Sequence, residues 1–263
     1  MSLISGTSLG HLFHQEVQDE LAKHPASPTG VLTEQDLVAL PEPVRRYFRA
    51  SGFVGRPRVV NLRLEWEHLR LKRSREVDWM ELECEQFNSV PQPVRIVLMR
   101  TKLAGLVPFE GRDKYQEGHG NMLVRVGRVF TVADAKGSPM DASGLVTVLA
   151  EALLAPSYAL QPYASWQPVD ATCARARFTF GGISVSGTFH FNDADELVRF
   201  DTEDRWQDGH PPRKVPWSAN LGAYRRDDGL RFPTTLSATW HEPGGDFTYV
   251  EGTLRGLTYN VKG

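Results

Sequence analysis

The feature that most constrains the fold of this chain is a strict alternation of apolar and polar residues, which recurs between Arg58 and Val261. Its clearest run places apolar side chains at Val60, Leu62, Leu64 and Trp66. A period of two residues is typical of an antiparallel strand with one buried face. Roughly ten such segments occur, separated by turn residues, so the sequence predicts a large curved sheet with one apolar face.

A single strongly apolar helical pattern interrupts the strands near residues 139–155. It begins at Ser138-Pro139, where proline suits the first helical turn. Its apolar residues follow at helical spacing: Leu145, Val148, Leu149, Leu153 and Leu154. A helix between two blocks of strands can cover the concave face of a bent sheet. We therefore predict a mainly β (α+β) fold, an open antiparallel barrel of roughly 10–11 strands covered by helices.

The residues before the strands have helical signals instead. Leu12, Phe13, Val17 and Leu21 share one face of a helix over residues 9–24, which the stretch from Pro25 to Gly30 ends. Thr33 with Asp36 resembles a helix N-cap, and residues 44–50 predict a further short helix. We expect residues 1–56 to form a helical segment packing on the sheet, and residues 57–263 to form one antiparallel β domain with the inserted helix.

The alternation also assigns side chains to the two faces of the sheet. The polar positions of the alternating pattern include Glu81, Glu83, Glu85, Arg175 and Arg177, which predicts a charged outer face in water. Gly181-Gly182 separates two alternating runs and predicts a two-residue hairpin turn. The segment 111–122, with its glycines and Tyr115, is interpreted as a hairpin corner, the alternative being a rim at the mouth of a cavity. Residues 205–217 are expected to form an exposed loop.

Composition and charge exclude several classes of protein. Thirty basic and thirty-two acidic residues give a net charge of −2, which provides no overall attraction to nucleic acid or to an anionic membrane. No apolar stretch is long enough to span a bilayer, and the first residues lack the order of a secretory signal. We expect a soluble, cytoplasmic protein, the alternative being that an anchor or signal precedes the natural N-terminus. Cys84 and Cys173 are expected to be buried free thiols.

No motif for a metal, a cofactor or a catalytic nucleophile stands out. His11 and His14 lack further ligands nearby, and the serines between Gly182 and Gly187 fall within a strand pattern rather than a nucleophile elbow. We therefore predict no metal, no cofactor and no catalytic residue. An enzyme that uses Asp113, Tyr115 or His119 as acid or base is kept as an alternative.

Tryptophan and arginine residues supply the candidates for a binding site. Six tryptophans are many for this length, and each offers a large apolar surface with one N–H donor. An arginine nearby could orient an anionic head group, although a structural pair with Glu83 or Glu203 explains Arg95 and Arg205 equally well. The predicted ligand-binding residues are Trp79, Arg95, Tyr115, Met122, Trp166, Arg205, Trp217 and Trp240.

Four strings resemble an uncharacterised bacterial family of unknown function. They are the residues 40–47 (LPEPVRRY), 115–122, 156–170 and Pro216-Trp217-Ser218. The strand count and the central helix resemble the LolA-like lipoprotein-carrier fold, an unclosed barrel covered by helices. That resemblance implies a concave face able to hold a lipid, although the absence of a signal sequence departs from the periplasmic carriers.

The combined pattern favours a binding module that holds a hydrophobic or lipid-like ligand in the concave face. The alternatives are an enzyme using the same cavity, and a structural or partner-binding domain whose interior is filled. A cavity above about 300 Å³ would favour the first two, and a packed interior the third. The sequence identifies neither the ligand nor the oligomeric state.

Overall fold

The fold is described from a computed structural model, which covers residues 8–25, 30–209 and 211–263. In these ranges the α-helices are α1 (Leu9–Lys23), α2 (Glu34–Leu37), α3 (Glu42–Ala50) and α4 (Ser138–Ala150), with 3₁₀ turns at Ala152–Leu154 and Pro156–Leu160. The strands are β1 (Asn61–Leu71), β2 (Met80–Ser89), β3 (Val94–Leu103), β4 (Val107–Gln116), β5 (His119–Val126), β6 (Phe130–Ala135), β7 (Ala164–Pro168), β8 (Cys173–Phe180), β9 (Ile183–Phe191), β10 (Leu197–Thr202), β11 (Trp206–Gln207), β12 (Arg213–Lys214), β13 (Trp217–Asp227), β14 (Leu230–Glu242) and β15 (Gly245–Tyr259). The prediction for residues 26–29, at the end of the first helix, falls outside the described ranges, as do residues 1–7 and His210.

Thirteen of these strands form one antiparallel sheet that does not close on itself. Their order is β6-β5-β4-β3-β2-β1-β15-β14-β13-β10-β9-β8-β7, and β11 pairs only with β12. The predicted mainly β, open-sheet fold is confirmed. The strands outnumber the predicted 10–11 because segments without clear alternation, such as β6 and β7, also pair.

The segment 111–122 forms the predicted hairpin, but most of it belongs to the two strands and its corner is short. Residues 107–116 form β4, residues 119–126 form β5, and the turn is confined to Glu117 and Gly118, both with positive φ. The sequence of β4 lacks the apolar–polar alternation of a strand with one buried face, because the polar residues Glu110 and Arg112 are buried beneath α1. Burial of polar residues by a distant helix leaves no local periodic signal.

The inner face of the sheet is filled by α3, α4 and the two 3₁₀ turns. Tyr47, Leu145, Leu149 and Tyr158 are among its fully buried residues, and together with the inward side chains of the strands they form one large core. Helix α4 contacts both β5 and β9, which lie near opposite ends of the strand order. It therefore fills the space between the two free edges of the sheet.

Helix α4 covers less of the chain than the predicted span of 139–155. It ends at Ala150, and the residues that follow continue as 3₁₀ turns. The start at Ser138 with a proline in the first turn agrees with the prediction. The 3₁₀ turns keep Leu153 and Leu154 buried, at 0% and 2% exposure, although the α-helix has ended.

Helix α1 covers part of the opposite, outer face. Leu9, Phe13, Val17 and Leu21 pack on apolar side chains of β2 and β3. The prediction of an outer face in water is therefore wrong for this region, although it holds for the exposed residues Glu81, Glu83, Arg175 and Arg177. Both faces of β3 are apolar in the sequence, and Ile96 and Leu98 form a second apolar stripe on its outer face beneath α1.

The Gly181-Gly182 turn is confirmed as a two-residue hairpin. Phe180 pairs with Ile183 across it, and both glycines have positive φ, the conformation that a type I′ turn requires. Its tip touches the β4–β5 turn, where an ideal Cβ on Gly118 would lie 3.0 Å from the Cα of Gly181. The two hairpins thus meet where α4 closes the sheet.

Candidate functional site

The structure gathers three of the eight predicted residues at one end of the inner face. Arg205 follows β10, Trp217 begins β13, and Trp240 pairs directly with Trp217 near the end of β14. The guanidinium carbon of Arg205 lies 4.6 Å from the centre of the Trp217 ring and 5.7 Å from that of Trp240. We call these three residues the Arg205 cluster.

Arg205 has no negatively charged partner among the described residues. Its Nη1 donates to Thr147 Oγ1 at 2.5 Å and to the Ser143 carbonyl at 3.2 Å, and both acceptors are neutral. Its Nε is buried and has no hydrogen-bond partner. The neighbouring carboxylate of Asp204 pairs with Lys214 instead. The predicted alternative of a pair with Glu203 is not found, since Glu203 is exposed.

Two further aromatic residues extend the wall beside the Arg205 cluster. The rings of Trp240 and Tyr249 stack at 5.7 Å, and Tyr249 OH accepts a hydrogen bond from Trp217 Nε1 at 3.2 Å. Phe247 lies 6.3 Å from Tyr249. Trp217 and Trp240 are buried at 4% and 8% exposure, whereas Phe247 and Tyr249 are half-buried. The sequence analysis did not select Phe247 and Tyr249 as site residues. The turn that follows Trp240 could have indicated that the next strand returns beside it.

Helix α4 presents a polar stripe to this end of the sheet. Ser143, Thr147 and Glu151 follow one another at a spacing of four residues, so they share one helix face. Ser143 bonds the backbone of Trp206, and Thr147 accepts from Arg205. The stripe fixes the segment after β10, and Arg205 with it.

Arg95 belongs to a separate polar cluster at the end of this stripe. Its Nε donates to Glu151 at 2.9 Å and its Nη1 donates to Asp113 at 2.7 Å. The other oxygen of Glu151 accepts from Gln86 and Asn88, each at 2.8 Å. Burial opposes the charged form of Arg95, yet the two carboxylates raise its pKa above the usual value. Arg95 thus belongs to a structural ion-pair network, and its partners are Glu151 and Asp113 rather than the predicted Glu83.

The remaining predicted residues lie elsewhere. Trp79 is on the outer side, beneath Arg70 at 4.7 Å and Lys72 at 5.4 Å, so it does not line the concave face. Trp166 is on the edge strand β7 and packs on Phe189 in the core. Met122 is half-buried on the inner face of β5.

The three residues of the enzyme alternative do not converge. Tyr115 is 1% exposed and packs so closely on Gly144 of α4 that an ideal Cβ there would lie 2.7 Å from the ring. Burial raises the pKa of Tyr115 far above its usual range. Asp113 is held by Arg95, and the His119 side chain is 82% exposed, with Asp141 within ion-pair distance at 3.7 Å.

The outer face brings a serine, a histidine and an aspartate together. His241 Nε2 lies 3.0 Å from Ser218 Oγ, and its Nδ1 lies 2.8 Å from Asp246. Ser218, however, is completely buried, and Arg199 Nη2 also approaches His241 Nε2 at 3.3 Å. Strand β13 pairs on both sides, so its backbone N–H groups serve the sheet and leave no oxyanion donor beside Ser218. We interpret these residues as a structural polar network.

A cysteine and a histidine form a similar cross-strand pair nearby. Cys173 Sγ lies 3.1 Å from His190 Nδ1, and His190 Nε2 lies 2.7 Å from Asp201 but out of line for a hydrogen bond. Burial raises the pKa of the Cys173 thiol, which favours the unreactive neutral form. Both cysteines are free thiols, as predicted.

Two open grooves cross the charged side of the sheet. One of about 890 Å³ is lined by His68, Arg70, Asn220, Ser237 and Glu251, among other residues of β1 and β13–β15. The other, of about 880 Å³, is lined mainly by charged residues of β2, β3 and β4. None of the eight predicted ligand-binding residues lines either groove.

Within residues 8–25, 30–209 and 211–263, no group of three or more His, Cys, Asp or Glu side chains is placed to hold a metal ion. In the same ranges, no helix is both long and apolar enough to cross a membrane.

Comparisons with known proteins give a family but no activity. No curated protein matches the chain. Among solved structures, the chain is similar to a LolA superfamily protein from Nitrosomonas europaea, with 9% identity, a TM-score of 0.44, and coverage of 82% of this chain and 93% of that one. The model of a family of unknown function, DUF6544, matches residues 30–252. Because this match includes most of the sequence, the chain belongs to the DUF6544 family.

Proposed function

We propose that this protein is a binding module for an amphipathic small molecule, whose anionic head group pairs with Arg205 and whose apolar part lies along the aromatic wall. The observation that carries the proposal is the unpaired Arg205 guanidinium between two tryptophans and α4. Arginine in such a setting is suited to a carboxylate or a phosphate, because its planar fork donates two hydrogen bonds at once.

The electrostatics of the Arg205 cluster favour an anion. A half-buried cation without a counter-charge is costly, and the Nε of Arg205 still lacks an acceptor. The tryptophan faces offset part of this cost through cation–π contact. An anionic head group would supply the missing acceptor and a full opposite charge, which the neutral oxygens of Ser143 and Thr147 cannot do.

The wall beside Arg205 supports an apolar ligand body. Phe247 and Tyr249 are half-buried, and the Arg75 guanidinium lies 5.1 Å from the centre of the Phe247 ring, so a guest would lie beside Arg75 and Tyr249. Trp66, Met99 and Met122 are also half-buried on the inner parity of their strands. Methionine side chains adapt easily to differently shaped ligands, which suits a lipid-like chain.

The packed core limits where the ligand can lie. Tyr115, Leu145 and Leu149 fill the middle of the concave face, at no more than 1% exposure. Ligand binding at Tyr115 and Trp166, which we predicted from the sequence, is therefore replaced in this proposal by a shallow site at the end of the sheet near Arg205. A partner-binding role is the second candidate, favoured by that same packed interior.

Tryptophan fluorescence titration with decanoate and dodecyl phosphate tests the proposal, with 1-decanol as the uncharged comparison. We expect saturable binding of at least one anionic ligand, and a loss of affinity of about tenfold or more in the Arg205→Gln variant, because a charged hydrogen-bonded pair is removed. Arg177→Gln is the matched control, since Arg177 is exposed on the outer face of β8.

Equal affinities for the anions and for 1-decanol would contradict the role of Arg205. The same conclusion would follow if Arg205→Gln bound like Arg177→Gln while both variants unfolded at the same urea concentration. An absence of saturable binding to every probe would favour the partner-binding role.

A further inference from the structure

The exposed apolar residues of this protein are concentrated at two neighbouring hairpin tips. Six of the ten large apolar side chains that are exposed in the described part of the chain lie there, in what we call the tip patch: Leu103, Leu106, Val107, Val129, Phe130 and Val132. Leu106 is 82% exposed and Phe130 is 71% exposed. Such a concentration is unusual for the surface of a soluble monomer and marks an interaction surface.

The two tips form one continuous surface. The β3–β4 hairpin supplies the residues near 103–107, and the β5–β6 hairpin supplies those near 129–132. Strands β4 and β5 pair up to Phe109 and Val126, and Gly127 N donates to the Pro108 carbonyl at 2.8 Å beyond that pair. The tips therefore project side by side from one end of the sheet.

The charge of the tips differs from that of the whole chain. The residues 101–108 and 125–132 contain no carboxylate, and Lys102 and Arg128 lie at the tips themselves, whereas the chain as a whole carries a net charge of −2. The net charge of the chain gave no reason to expect attraction to an anionic membrane, because it averages over this local excess of positive charge.

We propose that the tip patch docks on the surface of an anionic lipid bilayer. Apolar side chains at the tips would enter the boundary between head groups and acyl chains, while Lys102 and Arg128 contact lipid phosphates. Anionic lipids attract basic groups close to the surface, and two adjacent apolar tips supply the second signal that stable attachment requires.

A second copy of the chain fits the tip patch less well. In a symmetric dimer the same patch occurs on both subunits and faces itself. Lys102 and Arg128 of one tip patch would then oppose the same two cations of the other. A negatively charged, fluid surface satisfies both the apolar and the cationic side chains.

The position of the patch would bring the proposed ligand site to the membrane. The strand register places the β3–β4 and β5–β6 tips on the same end of the sheet as the β14–β15 turn, next to which Trp240 and Phe247 pair. The docking proposal stands on the tips alone and does not require a ligand at Arg205.

Cosedimentation with vesicles tests the proposal, comparing phosphatidylcholine vesicles that contain about one third phosphatidylserine with pure phosphatidylcholine. The Leu106→Asp/Phe130→Asp and Lys102→Gln/Arg128→Gln variants should each bind the anionic vesicles at least about tenfold more weakly than the unaltered protein. Val169→Asp is the matched control, because Val169 is 55% exposed but follows β7 at the far edge of the sheet.

Vesicle binding is measured separately from the ligand titration, so either proposal can fail while the other stands. The proposal is overturned if the unaltered protein does not sediment with anionic vesicles, or if Val169→Asp weakens binding as much as Leu106→Asp/Phe130→Asp. A dimer in solution that the Leu106→Asp/Phe130→Asp variant abolishes, without vesicle binding by either protein, would assign the tip patch to a second copy instead.

Discussion

Replacing Glu151 by alanine is expected to lower the free energy of unfolding by about 3–5 kcal/mol, because it removes one of the two carboxylates that pair with the buried Arg95 and the acceptor of two buried amides. The side chains of Arg95 and Glu151 are only 14% and 12% exposed. Glu151 also accepts hydrogen bonds from Gln86 and Asn88, whose amides are left without that acceptor in the variant. Urea unfolding followed by circular dichroism measures the change.

The matched control for this prediction is Glu85→Ala. Glu85 also pairs with an arginine, Arg100, at 2.7 Å, but the two side chains are 39% and 36% exposed. Exposed ion pairs contribute about 0–1 kcal/mol, so the control should unfold almost as the unaltered protein does. Similar losses in both variants would show that the Arg95 cluster is solvated and does not hold α4 on the sheet.

Gly120→Ala is expected to destabilise the fold by about 2–3 kcal/mol, because an added methyl group would overpack two backbone segments. An ideal Cβ on Gly120 would lie 2.2 Å from the Met140 carbonyl oxygen. The N–H of Gly120 donates to Asp141 at 2.7 Å, so β5 and the first turn of α4 cannot separate without losing that bond. Thermal and urea unfolding measure the effect.

Gly256→Ala provides the comparison for Gly120→Ala. Gly256 lies in β15, and the nearest atom to its ideal Cβ is Glu65 Oε2 at 3.8 Å, an ordinary contact distance. The added methyl group should be neutral or slightly stabilising there, since glycine weakens a strand interior. If Gly120→Ala were equally well tolerated, α4 would not be seated against β5 as described.

The alternating pattern predicted the sheet because the two-residue period is a local property of an extended chain. It placed Leu62 and Leu64 on the inner face, and the Gly181-Gly182 turn followed from the positive φ that glycine accepts. The pattern failed on β4, where Glu110 and Arg112 are buried by a helix about one hundred residues earlier in the chain.

The candidate site was only partly predictable for the same reason. Arg95 and Arg205 were both selected by residue type, but their roles depend on contacts with α4 at separations of 56 and 58 residues. Arg95 meets two carboxylates there, whereas Arg205 meets only neutral oxygens. The sequence does not distinguish the six tryptophans from one another. The pairing of β13 with β14 places Trp217 and Trp240 together near Arg205, whereas Trp79 faces outward.

The most direct measurement of the central claim is a crystal structure with 12-bromododecanoate, in which the anomalous signal locates the bromine and the density locates the carboxylate. We predict the carboxylate within hydrogen-bonding distance of the Arg205 guanidinium and the chain along Phe247 and Tyr249. A ligand bound in the outer groove lined by Arg70 and Glu251, with Arg205 still in contact only with α4, would contradict the account.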